Sequence, residues 1–236
     1  ALAGEVDGIV TAPISKAALQ GAGHNFPGHT ELLAHRCGAD EFAMMLYLPP
    51  GVANQSPCGL GVVHVTLHMA MREIFDSISQ ESVLEKCHLA QGAMRAMGVE
   101  RPRIGVTALN PHVGEAGLFG HEEIEIIGPG VEAARAAGID AAGPFPADTL
   151  MIAARDGAYD AVVAMYHDQG HIALKLLAMH AAVNVTLGLP IIRTSVAHGT
   201  AFDKAWRGEA EITGMLAAIE TAARMASRPG GPANRD

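Results

Sequence analysis

Aromatic residues make up only 4% of this chain, with a single tryptophan, and charged residues only 17%. So little charge beside 49% hydrophobic residues excludes a disordered, self-repelling polymer; the chain buries a core. Bases are scarcer than acids: 16 Lys and Arg against 25 Asp and Glu, a net charge of −9. That balance excludes nucleic acid as the main partner, although a few local bases can still hold an anion. The three cysteines, Cys37, Cys58 and Cys87, have no CxxC spacing, which excludes a disulfide scaffold and fits a reduced, cytoplasmic setting. No apolar run reaches the ~18 residues of a membrane span. The opening Ala1–Gly4 has no basic segment of the kind that begins a signal peptide. It also has no initiator Met and runs at once into a strand and turn, Asp7–Pro13, so an upstream portion is expected to be absent. A GxGxxG nucleotide loop is missing as well.

What is present is alternation. Apolar runs predict strands over Gly8–Ala12, Ala43–Leu48, Leu60–Thr66, Arg103–Leu109, Tyr159–Ala164 and Ala182–Leu187. Helices are expected over Ser15–Leu19, from a Thr30 cap to Arg36, over Glu81–Met97, Ile124–Ala137 and Ala147–Ala154, after His171, and over Glu209–Ala226. Asp148 or a neighbour is the expected cap of the fifth of these. This is the α/β pattern. No linker separates two domains, and the Pro/Gly-rich tail, residues 228–236, is expected to be flexible.

The polar chemistry gathers where strands are expected to end. In open α/β sheets that edge is where ligands bind. The densest stretch is Met165–His171, where His167, Asp168, Gln169 and His171 crowd a strand-to-helix junction, with Lys175 two helical turns beyond His167. Gly28-His29-Thr30-Glu31 opens a helix whose free N–H groups suit an anion, though for this tetrapeptide alone an ordinary Thr cap is the favoured reading. His68 follows one strand. Asn110–Gly117 follows another, in a Pro/Gly-shaped turn that presents His112 and Glu115. Histidines at three strand ends, His68, His112 and His167, form a candidate set of ligands for a divalent transition metal, with Asp148 and Asp168 placed to orient the rings. A buried, satisfied histidine is the plainer reading of His68 or His64 alone, and a polar loop explains the His112 turn equally. Arg193 and Lys175 are the natural binders of a phosphate or carboxylate.

Together GHTELLA, LNPHVGEAG, PADTL, AMYHDQGHIALK and AVNVTLGLPIIRTSVAHGTAFD resemble the 4-hydroxythreonine-4-phosphate dehydrogenase family of pyridoxal phosphate biosynthesis, from about Thr11 to about Ala210. The resemblance implies an isocitrate/isopropylmalate dehydrogenase-like fold, two α/β subdomains flanking a cleft. Residues 1–227 would then be one catalytic unit of interleaved subdomains lacking the family's N-terminal segment. It implies a homodimer with the active site shared across the interface, and metal ligands His68, His112 and His167, one of them from the partner. It places substrate contacts at His29, Thr30, Lys175, Asn184 and Arg193, and cofactor contacts at His198, Gly199, Thr200 and Ala201. The implied reaction is metal-dependent (Zn, Mg or Co) oxidation of the secondary hydroxyl of 4-phosphohydroxy-L-threonine by NAD or NADP, with loss of CO2 from the keto acid. Lys175 or Asp148 would move protons, and His64 is left structural. Ala197 departs from the family's Asp, and Trp206-Arg207 from its small and polar residues. His171 resembles instead a sister branch acting on threonate or erythronate 4-phosphate, or on a dihydrodiol dicarboxylate. Two other readings are an inactive truncated fragment and a structural protein whose histidines hold a metal-bridged dimer.

Overall fold

The computed structural model describes residues 1–227; the tail expected to be flexible lies outside them. Among these residues eight strands form one sheet, in the order β1-β8-β7-β2-β3-β6-β4-β5. The strands are β1 Gly8–Thr11, β2 Ala43–Leu48, β3 Leu60–His64, β4 Arg103–Thr107, β5 Asp140–Phe145, β6 Ala161–Ala164, β7 Val183–Leu187 and β8 Ile192–Val196. The α/β class expected from the sequence is what the chain adopts. The half made of β3, β6, β4 and β5 is parallel. In the other half β2 runs antiparallel to both β3 and β7, β7 runs antiparallel to β8, and β1 lies parallel to β8.

Helices cover both faces because most central strands bury residues on both. They are α1 Lys16–Gly21, α2 His29–Cys37, α3 Met71–Ser77, α4 Gln80–Ala96, α5 Gly128–Ala136, α6 Ala147–Arg155, α7 His167–Ala178 and α8 Thr213–Ala226. Alternation along the strands decides the layers. Met45, Tyr47, Val63, Val163, Val183, Val185 and Ile192 point to one face, where Val83, Cys87 and Met94 of α4, Val131 of α5 and Ala218 of α8 complete the larger core. Leu46, Leu48, Val62, Val162 and Ala164 point to the other, against Leu150 of α6 and Leu174 of α7.

Several boundaries differ from the sequence reading. The expected Thr30 cap is displaced: Gly28 is the N-cap of α2 and Thr30 is already its second residue. Asp148 does not cap α6; Pro146 holds that position, and the Asp148 carboxylate accepts from Thr149 N at 2.8 Å within the first turn. Helix α7 starts at His167, so the dense polar stretch is the helix's own first turn. The helix expected over Ile124–Ala137 is a π-helical turn, Glu123–Ile127, followed by α5. The last helix starts at Thr213 rather than Glu209. Three elements have no counterpart in the sequence reading. β5 carries Gly143 and Pro144 and few branched residues; it survives because it is the sheet's edge, where a missing N–H costs nothing. β8 hides behind its polar Arg193, Thr194 and Ser195. α3 is seven residues long, begun by Glu73 reaching back to Ala70 N at 3.2 Å.

Candidate active site

Because β3, β6, β4 and β5 are parallel, the segments following them emerge at one sheet edge. Across that edge the residues run in strand order: His68 after β3, His167 after β6, His112 after β4, Asp148 after β5. Neighbouring strands lie about 4.8 Å apart, so adjacent strands can bring side chains together and more distant ones cannot without a detour. The His68 and His167 rings accordingly lie 5.6 Å apart, centroid to centroid.

His167 opens α7, and residues four apart on a helix share a face. His167, His171 and Lys175 therefore form one stripe, and all three line a cleft of about 390 Å³. The His167 and His171 rings stack at 3.8 Å and 11°. His167 Nδ1 donates to Asp168 Oδ1 at 2.7 Å, the orienting contact expected of Asp168, which leaves Nε2 free to ligate. Beneath the stripe His171 Nδ1 meets His64 Nε2 at 3.1 Å. Burial, then the neighbouring His171 and His167, pushes the His64 pKa down to about 3. Burial and His167 hold His171 near 4. Gly170 permits this approach: a Cβ there would lie 2.5 Å from His64 Nε2 and from Val62 Cγ1.

The cleft floor is the α7 face of the antiparallel half: Met44 and Leu46 of β2, Asn184 of β7, Arg193 and Ser195 of β8. Arg193 is 3% exposed. Its Nη1 donates to Thr186 Oγ1 at 3.0 Å and its Nη2 to Thr11 Oγ1 at 2.7 Å. Its Nε is buried without a partner, as is Asn184 Oδ1. No carboxylate forms an ion pair with it among the described residues. Burial pushes its pKa down to about 10, against the pull of Glu31. An unpaired buried cation is costly unless an anion arrives. The wall opposite α7 is the N-terminus of α2, whose Gly28 cap supplies no side chain, leaving backbone N–H groups at the cleft beside His29 and Thr30. The His29 pKa is lowered by burial and then by Arg193. Lys16, which sequence reasoning passed over, also lines the cleft.

Five expected substrate residues, His29, Thr30, Lys175, Asn184 and Arg193, thus share one cleft with His68 and His167. Of the expected cofactor stretch, His198 and Gly199 line it, while Thr200 and Ala201 do not. His112 and Asp148 are not brought there. They line a second cleft, of about 360 Å³, with Asn110, Tyr166 and Gln169. Strand order alone does not separate them, because β6 pairs with both β3 and β4; the backbone of the turn after β4 differs. Residues His112 to Ala116 run left-handed, with φ between 45° and 70°, and only Gly114 among them is glycine. Each non-glycine residue in that state costs roughly 1–2 kcal/mol, so four such residues hold several kcal/mol of strain. Gln169 ties the first turn of α7 to the end of β4 and the residue after it. Its amide oxygen accepts from Met165 N and Thr107 Oγ1, both at 2.7 Å, and its nitrogen donates to Ala108 O at 2.7 Å. Two imidazoles facing open space are the donor chemistry a divalent transition metal takes. Among the described residues of one chain, however, no three His, Cys, Asp or Glu side chains group around one point. No helix among them is long and apolar enough to cross a membrane.

Comparison with known proteins follows the same lines. The family model described as pyridoxal phosphate biosynthetic protein PdxA matches residues 1–222. The chain is 49% identical over 226 residues to D-threonate 4-phosphate dehydrogenase of Pectobacterium atrosepticum, covering 96% of this chain and 67% of that protein. It is 53% identical over 225 residues to 4-hydroxythreonine-4-phosphate dehydrogenase of Geobacter metallireducens, covering 95% and 64%. The crystal structure of 4-hydroxythreonine-4-phosphate dehydrogenase from Klebsiella pneumoniae superposes with a TM-score of 0.84 at 47% identity, over 96% of this chain and 66% of that one. The chain therefore spans about two thirds of the length of these relatives.

Proposed function

The chain belongs to the PdxA family, whose relatives are named as dehydrogenases, and on that footing we propose that it is a metal-dependent, NAD(P)-linked dehydrogenase of a small phosphorylated hydroxy acid. The substrate of this reading is 4-phosphohydroxy-L-threonine, oxidised at its secondary hydroxyl and then decarboxylated. The observation that carries it is Arg193: a buried guanidinium with an unpartnered Nε, on the floor of a cleft walled by a helix N-terminus and by the His167–Lys175 stripe. That arrangement suits a ligand with an anion at one end and a group for His68 and His167 at the other. A second reading, the same oxidation on D-threonate 4-phosphate, is favoured by His171, whose imidazole adds a hydrogen-bonding group to the cleft.

In this reading Arg193, Lys175 and the N–H groups of α2 hold the substrate's phosphate and carboxylate, with Asn184 and Thr30 fixing their orientation. His68 and His167 supply two imidazoles to a divalent metal, Asp168 holding His167 in the ligating tautomer, and His112 of a partner protomer supplies the third. When bound, such a metal would supply Lewis-acid chemistry toward the secondary hydroxyl. His198, Gly199, Thr200 and Ala201 would hold the adenosine of a nicotinamide cofactor, which would supply the hydride acceptor. Lys175, on the face of α7 shared with His167, carries the proton. Asp148 sits beside His112 and would meet substrate only across the dimer interface. Residues 1–227 act as one catalytic unit, the parallel and antiparallel halves of the sheet being its interleaved subdomains.

The test is a screen of NAD+ and NADP+ reduction with 4-phosphohydroxy-L-threonine, threonate 4-phosphate, erythronate 4-phosphate and a dihydrodiol dicarboxylate, before and after chelation. Turnover with the first that is lost on chelation and restored by Zn, Co or Mg is expected. Turnover that survives complete metal removal would overturn the metal, and preference for threonate 4-phosphate would establish the second reading. Blank assays with a dimer that falls apart on chelation would favour a purely structural metal.

A further inference from the structure

Glu123 is a carboxylate only 3% exposed, and no Lys or Arg pairs with it among the described residues. A buried charge needs hydrogen-bond donors. Its donors all come from the root of the His112 turn: Oε1 accepts from Leu109 N at 2.8 Å and Asn110 N at 2.7 Å, and Oε2 from Asn110 Nδ2 at 3.1 Å. The turn then closes over the same carboxylate. A Cβ on Gly114 would lie 2.8 Å from Glu123 Oε2 and 2.9 Å from Gly120 O, so this residue must be glycine for the turn to seat. His112 itself is exposed, and its ring makes no hydrogen bond among the described residues. Its direction is therefore set by its backbone alone, through a left-handed helical turn in which each non-glycine residue is strained.

We propose that Glu123 is a positioning residue: from the π-helical turn it clamps the backbone at Leu109 and Asn110 and holds the left-handed turn that projects His112 away from its own chain. The proposal rests on the reading of His112 as a ligand of a shared metal. A ligand delivered from outside must arrive preformed, since residues that orient ligands typically change metal affinity about 10- to 100-fold. Glu123→Gln keeps the shape, removes the charge and sets an amide against the Asn110 amide. Gly114→Ala disturbs the same contact from the opposite side.

The experiment titrates the metal-free protein with Co(II), followed by its visible absorption, for wild type, H112A, E123Q, E123D and G114A. Each is studied well below its own melting temperature. The expected result is that H112A loses the Co(II) spectrum, E123Q and G114A weaken Co(II) by about 10- to 100-fold, and E123D, which keeps the charge, recovers part of the affinity. Substrate turnover should fall through kcat, with KM for the nicotinamide unchanged. Wild-type Co(II) affinity in folded E123Q, with H112A still defective, overturns the Glu123 assignment and leaves the functional reading intact. Wild-type affinity in H112A overturns the functional reading itself. If E123Q does not fold, E123D and G114A carry the comparison. A lowered Tm with unchanged Co(II) affinity in either assigns Glu123 a merely structural role and also overturns the proposal.

Discussion

Arg193 offers the most direct test of how the cleft trades stability for binding. The perturbation is Arg193→Met, which keeps length and apolar bulk and removes the charge. Burial moves the guanidinium from its ordinary 12.5 to about 10, which corresponds to roughly 3 kcal/mol against the charged form. The sign is unfavourable to folding: the folded pKa lies below the unfolded one, so the penalty is fully present at neutral pH, where both states are protonated. Met removes it but also removes two hydrogen bonds, to Thr186 and Thr11, each worth about 1 kcal/mol net. The ligand-free variant should therefore be as stable as wild type or about 1 kcal/mol more so, which for a chain of this size is a rise of about 2–4 °C in Tm. With inorganic phosphate at about 100 times its Kd, the wild type should gain about 2.7 kcal/mol and the variant almost none. Thermal melts with and without phosphate, at constant ionic strength, give both numbers. A ligand-free variant melting several degrees below wild type would show that the guanidinium is a structural asset rather than a held-open anion site. An undiminished phosphate shift in the variant would place the anion elsewhere.

Two further outcomes follow from the same coordinates. His64 stays neutral in the fold, with its pKa pushed down to about 3, while the unfolded chain takes up a proton below its ordinary 6.5. Stability should thus fall as pH drops from 6.5 toward 3, and this residue accounts for about 2 kcal/mol of the loss by pH 5. Urea melts at pH 7 and pH 5 should show a shallower acid dependence in His64→Gln; an unchanged dependence refutes the assignment. Asp160, 4% exposed, accepts from Arg103 N at 2.8 Å, Nε at 3.1 Å and Nη2 at 3.0 Å, tying the start of β4 to the start of β6. Arg103 is half-exposed, so Asp160→Ala should cost about 2–3 kcal/mol rather than the full penalty of a broken buried pair. A urea-derived loss below about 1 kcal/mol would show that this tie contributes little.

The elements legible in the sequence were those whose pattern is local. β2 reads Ala43–Leu48 in both, because an unbroken apolar run bounded by Pro49 and Pro50 has one solution. Ser15 caps α1 as its sequence suggests, its hydroxyl accepting from Ala18 N at 3.3 Å. β5 and β8 escaped for opposite reasons. β5 lacks the branched residues that mark a strand, and β8 carries residues that mark a site. Arg193 was legible as an anion binder, but its isolation was not, because it depends on which groups the sheet sets beside it: Thr186 of the neighbouring β7, and Thr11 from the far end of the chain. Gln169 was legible only as one polar group of a dense motif, and Glu123 not at all; what they hold is the backbone of Leu109, Asn110 and Ala108, which no spacing reveals.

The sequence by itself determined the α/β alternation, the family and the identity of the chemical groups, since periodicity, turn residues and motif composition are properties of short stretches. The partition of those groups was decided only by the tertiary structure. Strand order sets His68 beside His167 and the anion residues in one cleft. The same order, with a left-handed turn after β4, carries His112 and Asp148 into another. Three histidines that look equivalent along the chain follow three neighbouring strands; long-range pairing, which local residues do not encode, sets His68 beside His167, and the left-handed turn after β4 takes His112 elsewhere.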